Sequence, residues 1–139
     1  MKYEVRILSV TKMDNYEGIV HFEINGNDYK AFFYGDEYKP RQNYKVEFDH
    51  LETPLEWDKI FNKNKRKEQK LEKLPDTDWC YYGYGRIKSI NPVIADFGDI
   101  QLDIGKWTND PNIIGEFIFW KIERLDIRKI CNNDRMQRF

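Results

Sequence analysis

Two strand-like segments of this sequence recur at a single offset of eighty residues. Residues 6–10 (RILSV) match residues 86–90 (RIKSI), and residues 20–24 (VHFEI) match residues 100–104 (IQLDI). Chance seldom gives two separate matches at one offset, and self-similarity at a fixed spacing indicates a repeated structural unit. The chain is therefore predicted to contain two related halves that arose by an ancient duplication.

A third match adds the last strand of each half. After a difference of six residues in loop length, residues 44–52 align with residues 118–126, and both follow the same alternation of apolar and charged side chains. The order of the three matches along the chain is the same in both halves, as a duplication requires.

The first half contains a hairpin signal. Residues 20–24 alternate apolar and polar side chains at the period of a strand and lead into Asn25-Gly26. These two residue types adopt the positive φ angles of a type I′ turn, which predicts that residues 27–35 return as the next strand. With further strands at 3–8 and 44–48, we expect four strands in each half and about eight in total.

The composition is that of a folded protein. The chain has 139 residues, of which 40% are hydrophobic and 16% aromatic. That is enough apolar surface for one compact unit, or for two small ones that share a core. No run approaches the roughly 18 apolar residues of a membrane span, so we expect no membrane partner and a cytoplasmic location, with Cys80 and Cys131 as reduced thiols.

A helix is predicted between the two halves. Thr53 is a favoured N-cap, Pro54 suits the first helical position, and Glu56 completes a capping box. Pro75 would end this helix. The apolar residues expected to recur at helical spacing and to pack on the sheets are Trp57, Ile60, Phe61, Leu71 and Leu74.

Together these elements predict a mainly β fold with one helix, in which a duplication gave small OB-like β-barrel or sheet units that the helix connects. The chain resembles five-stranded OB-type barrels in its long first strand, its hairpin and its late strand after the Lys39-Pro40 turn. This resemblance concerns the fold alone, and it leaves open whether the halves form one barrel or two and whether the protein oligomerises. The predicted divisions are a first β half at 1–52, a connecting helix and loop at 53–78, a second β half at 79–127, and a frayed tail at 128–139.

The segment at 79–87 (WCYYGYGRI) is the main candidate for a binding site. As a strand, it would turn Gly83 and Gly85 inward, where the first half has side chains, and so leave space for a bend or for the helix that carries Trp57. The side chains that fall on the opposite face are Tyr82, Tyr84, Arg86 and Lys88. Tyr and Arg are favoured at interface centres and as stacking surfaces, so this face is predicted to bind a partner. The alternative is that the face is buried under the helix or the other sheet.

The outer face of the first hairpin is a second candidate. Its return strand carries aromatic side chains on both faces, which indicates either a strand covered on both sides or an exposed patch. The candidate partner-binding residues here are Phe32, Tyr34 and His21.

No motif in the sequence supports catalysis. The triplet Asp96-Phe97-Gly98 occurs without the other elements of a protein kinase, and there is no glycine-rich loop of the type that binds nucleotides. The two Cys and two His residues are too scattered for a typical zinc site. We therefore expect a protein that is not an enzyme and that has no cofactor and no metal site.

The charge distribution favours a protein partner. The formal net charge is −1, whereas a dedicated nucleic-acid-binding protein usually has a stronger basic footprint. We expect a non-catalytic binding module that acts on another protein, of the inhibitor, immunity or accessory type. The alternative is an OB-like single-stranded nucleic-acid-binding protein. In that case residues 63–73, with six basic and two acidic groups, would contact phosphates together with Arg86 and Lys88 while the aromatic residues stack on bases.

Overall fold

The computed structural model describes residues 1–51 and 56–130, and it confirms the predicted fold class, mainly β with one helix. Two strands more than the expected eight occur in these ranges. The strands are β1 (Tyr3–Lys12), β2 (Glu17–Ile24), β3 (Asn27–Tyr34), β4 (Asn43–His50), β5 (Lys70–Lys73), β6 (Tyr81–Ser89), β7 (Ile94–Asp96), β8 (Gln101–Asp103), β9 (Phe117–Ile122) and β10 (Leu125–Lys129). The helix is α1 (Trp57–Ile60), and a short 3₁₀ helix spans Pro111–Ile113.

Five strands close into a barrel in the order β1-β2-β3-β10-β4. β10 lies antiparallel to β4 and parallel to β3, where Asp126 pairs with Phe32. At this closure the backbone N–H of Lys129 donates to Asp36 Oδ2 at 2.8 Å. A second sheet has the order β5-β6-β7-β8, and β9 pairs with β6 to give a curled half-barrel. The barrel and the half-barrel are consistent with small OB-like units.

The hairpin of β2 and β3 forms as predicted. Ile24 pairs with Asn27, and the two turn residues Asn25 and Gly26 have φ angles of 53° and 83°. The left-handed conformation at both positions explains why Asn and Gly are found there. A two-residue turn fixes the register of the two strands, and the register predicted from it is the one observed along all of β2.

Both halves interrupt their first strand pair at the same place. β1 and β2 shift register between Ile7 and Ser9, and β6 and β7 shift register between Ile87 and Ser89, eighty residues later. The β1–β4 and β6–β9 pairings also correspond residue by residue at the offsets found in the sequence. One of the sequence alignments was wrong. Residues 20–24 lie in β2, but residues 100–104 contain β8, which pairs with β7 as β3 pairs with β2 and therefore corresponds in position to β3. Strands with the same alternation look alike in sequence whatever their position in a sheet.

The helix is much shorter than predicted. α1 has four residues, and the predicted capping residues Thr53 and Pro54 lie outside the described part of the chain. Leu71, expected on the helix, lies instead in β5 opposite Gly83. Residues 62–70 include no apolar side chain that could keep a longer helix packed on the sheet. In addition, Lys67 has a φ angle of 56°, which an α-helix does not allow.

The predicted divisions of the chain stay predictions. β10, which the sequence places at the end of the second half, closes the first barrel, and Arg128 and Lys129 of the predicted tail belong to this strand. Cys80 is a buried free thiol whose pKa is raised by burial, while Cys131 lies outside the described residues. Within those residues there is no helix with the length and apolar character needed to span a membrane.

Phe97 fills the space above the two glycines of β6. A Cβ added at Gly83 would lie 2.6 Å from Phe97 Cε1, and one at Gly85 would lie 2.8 Å from Phe97 Cδ1. The Phe97 side chain is fully buried. The inward placement of both glycines is therefore confirmed, and of the two alternatives for the space, a bend or the helix that carries Trp57, neither named the Phe97 ring that occupies it. The ring comes instead from the turn between β7 and β8, which folds back over β6.

Hydrogen bonds to Asp99 connect the second sheet to the barrel. The carboxylate lies in the β7–β8 turn and accepts from Asn25 Nδ2 at 3.2 Å, from Asn27 Nδ2 at 2.8 Å and from the Tyr29 hydroxyl at 2.5 Å. Burial raises the pKa of Tyr29 well above its ordinary value, and the bond to the Asp99 carboxylate raises this pKa further. The three donors belong to the β2–β3 hairpin, so one carboxylate links the tip of this hairpin to the β7–β8 turn.

The barrel also covers the outer edge of β8. The backbone N–H of Gln101 donates to the Tyr3 hydroxyl at 2.8 Å, and His50 Nε2 lies 3.2 Å from the backbone oxygen of Asp103. Nearby, the Tyr81 hydroxyl donates to a backbone oxygen of β3 at 2.6 Å. Side chains of the barrel therefore satisfy backbone groups that an exposed edge strand would present to another chain.

Candidate binding surface

β6 separates its side chains into a buried and an outer set. Tyr81 and Ile87 are buried with the two glycines between them, and the outward residues are half-buried or exposed. Tyr82 and Tyr84 are half-buried, and Arg86 is exposed. The alternation correctly placed the four candidate residues of this strand on its outer face: Tyr82, Tyr84, Arg86 and Lys88.

β9 adds aromatic residues to the same face. Phe119 pairs with Tyr84 across the two strands, and its ring centroid lies 5.4 Å from that of Tyr82 and 5.5 Å from that of Tyr84. These distances are typical of interacting aromatic rings. We call the outward residues of the two strands the tyrosine face: Tyr82, Tyr84, Arg86 and Lys88 of β6 with Phe117, Phe119 and Lys121 of β9.

Cationic side chains lie over the rings of the tyrosine face. Lys63 Nζ lies 5.4 Å from the ring centroid of Phe119, and Lys70 Nζ lies 5.3 Å from that of Tyr84. On β6 itself, the Arg86 guanidinium lies 5.4 Å from the centroid of a neighbouring ring on β9. These separations fall within the range of a cation–π interaction. The surface therefore combines apolar contact area with positive charge.

Asn64 fixes the segment that carries Lys63. This side chain is 5% exposed, and its Nδ2 donates to the backbone oxygens of Glu68 at 2.9 Å, Ile118 at 3.0 Å and Gly85 at 3.4 Å. Its Oδ1 accepts from the backbone N–H of Glu68 at 2.8 Å. The Asn64 amide thus bonds to Glu68 four residues later, which closes the turn, and to backbone oxygens of β6 and β9. We call residues 63–67 (KNKRK) the basic turn.

The basic turn lies between two pockets that share Lys63 and Tyr84. The larger has a volume of about 430 Å³ and includes Ile60, Tyr82 and Phe119 in its lining. The smaller has a volume of about 360 Å³ and is lined mainly by the basic turn and neighbouring charged residues. Of the described residues that line the first pocket, four are aromatic and five are charged, whereas the second has Tyr84 as its single aromatic residue among charged and amide side chains.

Carboxylates are interspersed among the cations around these pockets. Lys70 pairs with Glu68 at 3.0 Å and with Glu72 at 3.3 Å, and both carboxylates raise the pKa of this lysine. Lys59 pairs with Glu56 at 2.5 Å. In contrast, no described carboxylate forms an ion pair with the cations of the basic turn, which are Lys63, Lys65, Arg66 and Lys67.

The candidates from the first hairpin lie on a different sheet. Phe32 is 8% exposed and is covered by the edge of Trp79 at 5.7 Å and by the Arg124 guanidinium at 4.1 Å. Tyr34 is 69% exposed, and His21 Nε2 lies 2.6 Å from a carboxylate oxygen of the hairpin. The structure therefore does not bring these three residues together with the tyrosine face into one site.

A polar cleft of about 790 Å³ lies between the barrel and the second sheet. Trp107 and Trp120 form one wall, with ring centroids 6.0 Å apart, and His50 and Asp103 also line it. His50 is held by hydrogen-bonding contacts between its ring nitrogens and two backbone oxygens. Among the described residues, no three His, Cys, Asp or Glu side chains are grouped so that they could hold a metal ion.

Sequence reasoning identified the β6 part of the tyrosine face and missed its other members. Alternation within residues 117–122 was available as a signal for Phe119, because it places this ring on the same side as Lys121. The position of Lys63 carried no such signal, since it depends on the hydrogen bonds of Asn64 to two distant strands.

No protein-family model matches this chain, and no curated protein and no solved structure matches it. The functional interpretation therefore follows from the tyrosine face and the basic turn themselves.

Proposed function

We propose that this protein is a non-catalytic binding module that binds another protein through the tyrosine face. The main support is the contiguous group of half-buried rings at Tyr82, Tyr84 and Phe119, with Lys63 over the Phe119 ring and Lys70 over the Tyr84 ring. Tyr and Arg residues concentrate binding energy at protein interfaces because they offer large contact areas with a polar group at the end. Rings fixed by neighbouring rings also lose little conformational entropy when a partner binds.

Three observations favour a protein over a nucleic acid as the partner. Glu68 and Glu72 form ion pairs with Lys70 beside Tyr84 and so offset the positive charge that a phosphate would meet there. OB-fold proteins bind oligonucleotides on the face of strands 2 and 3, and here the aromatic residue Phe32 on that face is covered. The net charge of −1 also gives no general attraction to phosphates.

Single-stranded nucleic acid is the second candidate function. The cations of the basic turn have no described ion-pair partner and lie next to stackable rings, which is the combination that non-specific single-strand binding uses. Such a complex weakens steeply between about 50 and 200 mM salt, whereas a protein interface depends on salt much less.

The duplication and the cytoplasmic location are also proposals. The common bulge and the matching registers of β1–β4 and β6–β9 support a duplication. The cytoplasmic location stays a proposal from the sequence alone.

Affinity capture from the native host, with and without nuclease, tests the proposed function. The double variant Tyr82→Ala with Tyr84→Ala should lose the partner that the wild type captures, and Tyr16→Ala should keep it. Tyr16 is a suitable control because it is an exposed tyrosine of the barrel and belongs to neither candidate surface. Arg86→Glu, at an exposed position, tests the same face with less risk to folding.

We expect the captured partner to be a protein, and its capture to survive nuclease treatment and moderate salt. Urea unfolding of each variant separates loss of binding from loss of folding. A folded double variant that retains the captured protein would exclude the tyrosine face as the interface. Capture that nuclease abolishes would instead support the nucleic-acid alternative.

A further inference from the structure

The basic turn holds a local excess of positive charge, because the carboxylates nearest to it, Glu68 and Glu72, form ion pairs with Lys70 and not with the turn. Residues 56–70 carry six basic and three acidic groups, although the protein as a whole has a net charge of −1. Lys65, Arg66 and Lys67 are exposed, and no described carboxylate forms an ion pair with them. Cations held close together repel one another, so an anionic ligand at this position is favoured.

The turn is held in place before any ligand binds. Asn64 is 5% exposed, and its amide forms four hydrogen-bond contacts at 2.8–3.4 Å, of which those to Gly85 and Ile118 attach the turn to β6 and β9. A buried amide bonded to several backbone groups rigidifies the segment around it. The cations on either side of Asn64 are therefore presented on a fixed backbone, so binding an anion orders little beyond their side chains.

The two pockets on either side of Lys63 have complementary chemistry. The smaller pocket offers the basic turn, and the larger offers Ile60, Tyr82 and Phe119. Lys63 and Tyr84 line both, so the two pockets are adjacent. A ligand that spans them needs an anionic group and, next to it, an apolar group.

We propose that the tyrosine face receives an acidic segment of the partner protein, with carboxylates at the basic turn and an apolar side chain in the larger pocket. This inference rests on the proposed function and specifies the chemistry of the partner. Carboxylates fit better than a phosphate backbone because Glu68 and Glu72 already lie beside Tyr84 and would repel a continuous line of phosphates. Separate carboxylates on a peptide can be spaced to avoid them.

Fluorescence anisotropy with defined probes tests this inference. The first probe is a labelled peptide of alternating Glu and Phe residues, the second is the same peptide with Gln for Glu, and the third is a 15-nucleotide oligo(dT). We expect the Glu peptide to bind, the Gln peptide to bind at least about tenfold more weakly, and oligo(dT) to bind more weakly than the Glu peptide at about 200 mM salt.

Charge reversal on the turn provides the matched comparison. Lys65→Glu with Arg66→Glu should weaken binding of the Glu peptide by about tenfold or more. Lys2→Glu with Lys39→Glu makes the same change in net charge at exposed positions on the barrel and should change binding by less than about twofold. Both variants need the wild-type urea midpoint, because the comparison concerns charge and not folding.

The outcomes separate this inference from the proposed function. No measurable binding of the Glu peptide, equal binding of the Gln peptide, or an unaffected Lys65→Glu/Arg66→Glu variant overturns the acidic-segment proposal. Tighter, turn-dependent binding of oligo(dT) overturns it in favour of nucleic acid. If the turn variant still captures the native partner and the Tyr82→Ala/Tyr84→Ala variant does not, the proposed function stands alone. If both capture it, the proposed function fails as well.

Discussion

Replacing Gly83 with alanine should destabilise the protein, although alanine is usually the better residue in a regular strand. The added Cβ would lie 2.6 Å from Phe97 Cε1, 3.0 Å from Phe97 Cδ1 and 3.0 Å from the backbone oxygen of Trp120. Ordinary contacts begin near 3.4 Å, so the Phe97 ring must move by about 0.8 Å. The ring is fully buried and cannot swing into solvent, and the backbone of β9 is held by its pairing with β6.

The expected cost follows from two opposing effects. Forcing one extra carbon into a packed core costs about 1–3 kcal/mol. The alanine restricts the unfolded chain and returns about 0.4–1 kcal/mol where the backbone accepts it. The net destabilisation should then be about 1–2 kcal/mol, which shifts the urea midpoint downward by about 0.5–1 M for a slope near 2 kcal/mol per M.

A double-mutant cycle with Phe97→Leu tests the cause. Leucine is smaller than phenylalanine and leaves room for the new methyl group, so the double variant should be more stable than the two separate losses predict. The interaction energy should be about 1 kcal/mol or more in the stabilising direction. An unchanged midpoint for Gly83→Ala, or losses that simply add, would refute the assignment of Phe97 as the residue that requires glycine here.

Two further predictions concern other parts of the molecule. Asp99→Ala should lower the free energy of unfolding by about 2–3 kcal/mol, because three donors of the β2–β3 hairpin lose a charged acceptor. As a control, Glu4→Ala at an exposed position should leave the urea midpoint nearly unchanged. Because the pKa of Tyr29 is raised in the folded state, its phenol stays protonated there while the unfolded chain ionises, and this contribution to stability is lost as the pH rises above about 10. The variant Tyr29→Phe should therefore lose less stability than the wild type between pH 9 and 11. Parallel pH profiles of the free energy of unfolding would contradict this.

Much of the fold is encoded in short segments of the sequence. Asn25-Gly26 determines the β2–β3 turn and its register, and the alternation of β6 determines which side of that strand is buried. The capping box before α1 is equally local, yet it did not predict the length of the helix. Leu71 lies in β5 because this segment pairs with β6, where Leu71 is opposite Gly83, instead of continuing as a helix. That pairing depends on a strand later in the sequence.

The same distinction holds for the candidate surface. The outward residues of β6 could be predicted from the sequence, because a strand's alternation is a property of the strand alone. Phe119 required knowledge of which strand pairs with β6, and Lys63 required the hydrogen bonds of Asn64. For Phe32 the alternation of β3 predicts an outward position, but it does not predict that Trp79 and Arg124 cover the ring there.

The position of β10 has a consequence for how the protein is made. During synthesis the first four strands leave the ribosome long before β10 exists, because Asp36 and Lys129, which bond at the barrel closure, are 93 residues apart. Until then the gap between β3 and β4 exposes backbone groups and apolar side chains, and such intermediates are prone to misassembly. Closing so large a loop is slow, so the barrel should be completed late in folding, and nascent chains that stop before residue 125 should be targets for chaperones and proteases.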